Sequence, residues 1–106
     1  MNNTALITGA TSGIGFELAK LHAIKGGDLV LVARNKEKLL EIKTEFESKY
    51  GVQVMIIEKD LSKKDAGQEV YNETMSHQIT IDILINNAGF GDFGFFSETS
   101  WDKEYE

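Results

Sequence analysis

The chain predicts an α/β fold, a doubly wound parallel sheet with helices on both faces, carried as far as about four strands. Short apolar runs alternate with segments whose apolar residues recur at helical spacing. The runs are almost unbroken, which suits strands buried on both sides beneath covering helices. Glycine or asparagine clusters follow the first and fourth runs, at what would be strand carboxyl ends. Right-handed crossovers then give one parallel sheet in the order 3-2-1-4.

Each element follows in turn. Ala5-Leu6-Ile7-Thr8 is the first strand; a glycine cluster leads to a helix with Ile14, Leu18, Leu21 and Ile24 at helical spacing, stopped by Gly26-Gly27. Leu29-Val30-Leu31-Val32-Ala33 is the second strand. Asn35 is placed to cap a helix carrying Leu39, Ile42 and Phe46 on one side. The alternating charges from Lys36 to Lys49 make its solvated face, and Tyr50-Gly51 closes it. The third strand spans residues 52–58, with Gln53 the polar residue inside it. A helix from about Ser62 follows, capped by Ser62, with Asp65 in its first turn and a thin apolar stripe of Ala66, Val70 and Met75. Gly67 costs that helix about 1 kcal/mol relative to alanine. Residues 81–85 form the fourth strand and run into Asn86-Asn87-Ala88-Gly89; a loop rich in glycine and phenylalanine at 90–96 then reaches a helix start around 97–101.

Composition narrows the function. Among 106 residues, 17 acidic and 11 basic side chains leave a net charge of −6, and the length suffices for one core without a second domain. The acidic balance argues against a nucleic-acid partner. With no cysteine there is no disulfide framework, thiolate metal site or cysteine nucleophile, which suits a reducing cytoplasm. Apolar stretches such as 79–85, broken by Thr80 and Asp82, fall far short of the roughly 18 residues a membrane span needs. The start, Met1-Asn2-Asn3-Thr4, lacks the basic and apolar regions of a signal peptide. His22 and His77 have no second ligand at metal spacing, so no metal site is expected.

Thr8-Gly9-Ala10-Thr11-Ser12-Gly13-Ile14-Gly15 lies between a buried strand and a helix, where backbone amides can cradle a pyrophosphate. Gly9 permits the tight turn, Gly13 lets the backbone approach the phosphates without a Cβ, and Gly15 lets the helix pack close to the strand. A Walker A loop needs Gly-Lys-Ser/Thr at its end, where Ile14-Gly15 stands. The methyltransferase turn has tighter glycine spacing than Gly9 to Gly13.

Thr8-Gly9-x-x-x-Gly13-x-Gly15, Asp60-Leu61 after the third strand and Asn86-Asn87-Ala88-Gly89 after the fourth together resemble the short-chain dehydrogenase/reductase family. The likeness runs from about residue 4 to the chain's end and implies the amino-terminal, cofactor-binding part of a single Rossmann domain. By this resemblance the turn Gly9 to Gly15 holds the pyrophosphate and adenosine ribose, with Ser12 and Ile14 contributing directly. Asp60 would accept a hydrogen bond from the adenine amine, Leu61 would lie along the ring, and Asn87, Ala88 and Gly89 would line the cleft near the ribose. Two local readings stay open beside these. Asp60 also suits an ordinary turn before a helix, and the asparagine pair suits hydrogen bonds to backbone between neighbouring strands.

NAD-preferring sites of this kind place an acidic residue at the end of the second strand, about 20 residues past the glycine turn, to bind the ribose 2′-OH. Ala33 occupies that position and Arg34 follows, so NADP(H) is expected in preference to NAD(H). A guanidinium can hold a 2′-phosphate bidentately, although Arg34 also suits a plain solvated position before a capped helix. Net acidity does not oppose this, since distant charges are screened.

The family supplies its proton donor, and the groups that tune it, with a serine, a Tyr-x-x-x-Lys pair and a further asparagine, and none of these can be located here. Four residues after Tyr50 and Tyr71 stand Val54 and Met75, and Tyr105 is next to last. No catalytic residue is therefore expected here, and this chain alone is expected to be inactive. As a remnant sheet it would leave its fourth strand an unpaired apolar edge, which predicts partial disorder or association. The complete protein implied by the resemblance is an NADP(H)-dependent oxidoreductase acting on a small carbonyl or alcohol substrate, a homo-oligomer without membrane or nucleic-acid partners. The alternative is a non-enzymatic dinucleotide-binding sensor, distinguished by lacking the Tyr-x-x-x-Lys segment, with an inert interaction domain weaker still. Phe90, Phe93, Phe95, Phe96 and Trp101 suit either an apolar substrate mouth or packing against further structure.

Overall fold

The computed structural model describes residues 3–11 and 13–87. Ser12, Ala88, Gly89, the loop at 90–96, the helix start at 97–101 and Tyr105 lie outside the described residues.

The described chain runs β1 (Ala5–Thr8), α1 (Gly13–Ile24), β2 (Leu29–Ala33), α2 (Lys36–Tyr50), β3 (Val54–Glu58), α3 (Ala66–Ser76) and β4 (Ile83–Asn86). All strand pairs are parallel and the order is β3-β2-β1-β4, as the alternation of apolar runs and helices predicts. Successive strand side chains point to opposite faces, so β1 and β2 feed two cores. Ala5, Ile7, Leu29, Leu31 and Val54 pack beneath α1 and α2 with Ala19, Ala23, Leu39, Ile42 and Phe46. Leu6, Val30, Val32, Ile57 and Leu84 pack on the other face against Ala66 and Val70 of α3.

Helix α2 forms as its caps dictate. Asn35 Oδ1 accepts from the Lys38 N–H at 3.1 Å, and Gly51, at φ 70°, ends the helix with its N–H on the Glu47 carbonyl. Helix α1 departs from its periodicity. Its buried line is Gly15, Ala19 and Ala23, while Ile14, Leu21 and Ile24 are 69%, 54% and 54% exposed and only Leu18 of the expected stripe packs on the core. The helix lies so close to the sheet that only small residues fit between them.

Three boundaries move for identifiable reasons. β3 begins at Val54 instead of residue 52, because the Gln53 N–H is taken by the buried Asp28 carboxylate at 2.8 Å, and Gln53 itself is exposed. β4 begins at Ile83 instead of residue 81; Asp82 instead binds the Thr4 N–H through Oδ2 at 2.8 Å, and Ile81 is buried against α3's side of the sheet. α3 begins at Ala66, four residues after the expected Ser62, whose hydroxyl and N–H are engaged by Asp60. Asp65 takes the cap position in a left-handed conformation, φ 67°, without a side-chain cap bond. Thr74 completes the buried stripe by bonding the Val70 carbonyl at 2.8 Å, and Met75 is exposed.

The charged face of α2 is not wholly solvated. Gln53 O accepts from Leu29 N–H and Lys59 N–H donates to Ala33 O, so odd-numbered residues of this segment face β2 and Val54 faces outward. Val54 N–H donates to Glu47 Oε2 at 3.0 Å, its carbonyl accepts from Lys43 Nζ, and Lys43 pairs with Glu47 at 2.9 Å. The Lys43 hydrogen bond, followed by the Val54 amide, holds the Glu47 carboxyl below its ordinary 4.5 against a smaller opposing effect of burial.

Candidate functional site: the carboxyl edge of the sheet

Because every strand runs the same way, Thr8, Ala33, Glu58 and Asn86 end on one edge. β1 has β2 on one side and β4 on the other, so connections leave it in opposite directions and a crevice opens at its carboxyl end. The glycine turn occupies that place.

Gly9, at φ 63°, turns the chain out of β1 while its N–H extends the pairing to the Val32 carbonyl at 2.9 Å. Gly13, at φ 60°, opens α1, and a Cβ there would meet nothing within 4 Å, so the backbone at the helix mouth is open to a ligand. Gly15 is the opposite case. Its Cβ would stand 2.2 Å from the Gly9 carbonyl oxygen and 2.7 Å from Asn87 Nδ2, which explains why the helix needs glycine here to lie against the turn. The first turn of α1 carries no acidic residue, leaving the positive end of the helix and its unpaired N–H groups available to an anion. Ile14 stands exposed at this mouth.

Strand β4 is buckled to the turn. Asn87 Nδ2 donates to the Gly9 carbonyl at 3.2 Å, and Thr8 Oγ1 donates to Asn86 Oδ1 at 2.9 Å. The asparagine pair therefore makes the interstrand bonds read from the sequence, although Asn86 bonds a side chain and not backbone. Both bonds place the end of β4 beside the crevice.

The other end of the edge carries charge. Ala33 ends β2 and leaves no carboxylate there, and Arg34 is exposed immediately after it. Asp60 follows β3, its Oδ1 accepting from Ser62 Oγ at 2.7 Å and Ser62 N–H at 3.0 Å. Those bonds, the hydroxyl first, hold the Asp60 carboxyl below its ordinary 3.8; slight desolvation opposes them, and the nearby charges of Arg34 and Lys63 reinforce them. Asp60 thus occupies the turn that its local sequence suggests and remains an ionised acceptor facing the edge. Leu61, expected along the ring, has a side chain that is 5% exposed and packs with Ala66 and Val70.

Sequence reasoning missed Ser62, read there as a helix cap. The Asp-x-Ser spacing is the signal, since an aspartate favours bonding the backbone two residues on. It also missed Thr8, whose hydroxyl had no visible partner until β4 came alongside. Among the described residues no group of three or more potential metal ligands gathers. His22 Nε2 lies 2.6 Å from the Asn3 carbonyl and His77 Nδ1 lies 2.9 Å from the Glu73 carbonyl, so each is engaged locally.

A family model described as short chain dehydrogenase matches residues 3–106. The chain is 35% identical over 99 residues to 11-beta-hydroxysteroid dehydrogenase B of Sesamum indicum, an alignment covering 93% of this chain and 27% of that protein. It superposes with a TM-score of 0.77 on L-sorbose reductase from Gluconobacter frateurii, solved in complex with NADPH and L-sorbose, at 35% identity over 95% of this chain and 38% of that one. A short-chain dehydrogenase from Sphingobium yanoikuyae in complex with NADPH gives 0.74 at 40% identity, covering 92% and 38%. The chain spans little more than a quarter of the length of the sesame relative. A family model along almost the whole chain, joined to the glycine turn at the strand-order switch and the asparagine buckle beside it, leads to one conclusion: the chain belongs to the short-chain dehydrogenase family.

Proposed function

We propose that this chain is the amino-terminal, dinucleotide-holding part of a single-domain oxidoreductase that uses NADP(H) to interconvert a small carbonyl compound and its alcohol. The observation that carries the cofactor choice is the end of β2, where Ala33 presents no carboxylate and Arg34 stands exposed beside the Asp60 end of β3. An acidic residue at position 33 would repel a 2′-phosphate, whereas a guanidinium holds one through charge-assisted bonds. NADPH in the Gluconobacter and Sphingobium neighbours supports the same choice.

The α1 mouth fits a pyrophosphate. Gly13 leaves space where a Cβ would intrude, and the first-turn amides from Gly13 onward would hold the two phosphates, with Ser12 and Ile14 beside them. Arg34 would take the 2′-phosphate, Asp60 the adenine amine, the Leu61 backbone the ring's flank, and Asn87, Ala88 and Gly89 the ribose side of the cleft. A dinucleotide held there would give or take the hydride. This chain's residues bind and orient it, and the proton donor for the substrate oxygen belongs to the rest of the protein.

Titration of NADPH and NADH into the whole protein carrying this sequence tests the assignment. Arg34→Ala is expected to weaken NADPH by at least about tenfold, the loss of one charge-assisted contact, with little change for NADH. Equal or tighter NADH binding by the unaltered protein, unchanged by Arg34→Ala, would reject it.

A further inference from the structure

Asp60 alone does not explain how a carboxylate on an open sheet edge recognises one face of a base. A free aspartate rotates, and both its oxygens accept. Here one oxygen is committed: Oδ1 takes both the Ser62 hydroxyl, at 2.7 Å, and the Ser62 N–H, at 3.0 Å. Among the described residues, both hydrogen bonds made to this carboxylate fall on that oxygen. The pairing pins the carboxylate plane and leaves Oδ2 as an acceptor in a defined direction.

From this geometry we infer that Ser62 is a positioning residue for base recognition, fixing Asp60 so that Oδ2 selects an exocyclic amine and rejects a carbonyl at the same place. The inference deepens the proposed function and rests on its assignment of Asp60 to the adenine. An ionised carboxylate accepts hydrogen bonds and donates none. It therefore attracts the N–H donors of adenine and repels the 6-oxo group of hypoxanthine. The two charged neighbours, Arg34 and Lys63, help keep the carboxyl ionised. Ser62 spends both its hydroxyl and its N–H on Asp60, so its effect is exerted through that carboxylate. Threonine at this position retains both donors; alanine retains only the backbone N–H, which leaves the carboxylate held by one bond instead of two.

The experiment compares NADPH with its hypoxanthine analogue, in which an oxygen replaces the adenine amine, binding to the whole protein carrying this sequence. Ser62→Ala, Ser62→Thr and Asp60→Ala are measured beside the unaltered protein. Ser62→Ala is expected to weaken NADPH about fivefold, the scale of one hydrogen bond's worth of positioning, and to leave the analogue's affinity unchanged or raised as the repulsion relaxes. Ser62→Thr restores the preference for the amine. If Ser62→Ala weakens both ligands equally, or neither, the serine serves only the turn and the inference fails while Asp60 keeps its role. If Asp60→Ala itself leaves the preference for the amine intact, the assignment of Asp60 to the base falls, and the inference with it.

Discussion

Substituting Gly15 with alanine tests whether the helix-to-turn contact organises the site. The added Cβ would stand 2.2 Å from the Gly9 carbonyl oxygen, 3.0 Å from its carbon and 2.7 Å from Asn87 Nδ2. Ordinary contact begins at 3.4 Å, so the helix mouth and the turn must separate by about 3.4 − 2.2 = 1.2 Å. A backbone carbonyl cannot rotate aside as a flexible side chain does. Overpacking in a tight site costs about 1–3 kcal/mol, and the rigid partner places this case near 3. Alanine regains about 1 kcal/mol of helix propensity, leaving a net loss of about 2 kcal/mol. The same displacement stretches the Asn87 bond to Gly9 and moves the first-turn amides, so NADPH affinity should fall by about tenfold or more. Gly13→Ala provides the contrast. Nothing lies within 4 Å of its Cβ, and its cost, about 1–2 kcal/mol, comes from the left-handed φ alone. Urea unfolding read by circular dichroism, paired with NADPH titration of the whole protein, measures both effects. A Gly15→Ala protein as stable as the unaltered one, or more so, with unchanged NADPH affinity, would refute the reasoning.

Two further outcomes concern the scaffold. Asn35→Ala removes the bond to the Lys38 N–H and should cost about 1 kcal/mol in urea unfolding; a loss below a few tenths would mean the cap contributes nothing. The Glu47 pKa is depressed in the folded state, so its contribution to stability is complete above the unfolded value of 4.5 and is lost as pH falls through the lower folded value. The gap in urea midpoint between the unaltered protein and Glu47→Gln should therefore be open at pH 7 and close as pH drops well below 4.5; a gap independent of pH would count against the Lys43 pairing as its source.

Elements with local causes were legible in the sequence. Unbroken apolar runs located β1 and β2, because burial on both faces leaves no alternation to misread. The glycines declared themselves through backbone demands, at Gly9 and Gly51 by positive φ and at Gly15 by close approach. What stayed hidden depends on partners distant in the chain. The apolar runs put Asp82 inside the fourth strand and give Asp28 no role, yet the two trim β4 and β3 by capturing the N–H groups of Thr4 and Gln53. The α1 stripe misled because helical spacing alone does not say which face turns inward, and at this closeness alanine outcompetes isoleucine. At the candidate site, the positions of Arg34, Asp60 and Asn87 along one edge followed from motif order. The commitment of Asp60 to Ser62 did not, since it depends on a turn replacing the first stretch of an expected helix.

The grip of Lys43 and Glu47 on Val54 bears on how the molecule behaves in a crowd. An unsheltered β-strand margin offers a template on which a stranger's backbone can grow a ladder. To start at Val54, an intruder must displace an ion pair already holding the N–H and the carbonyl it needs. Beyond it, only Ile56 and Glu58 of this strand face outward, and the latter meets an approaching acidic chain with like charge. The sheet thus carries its own guard against strand-by-strand growth on the side farthest from the crevice.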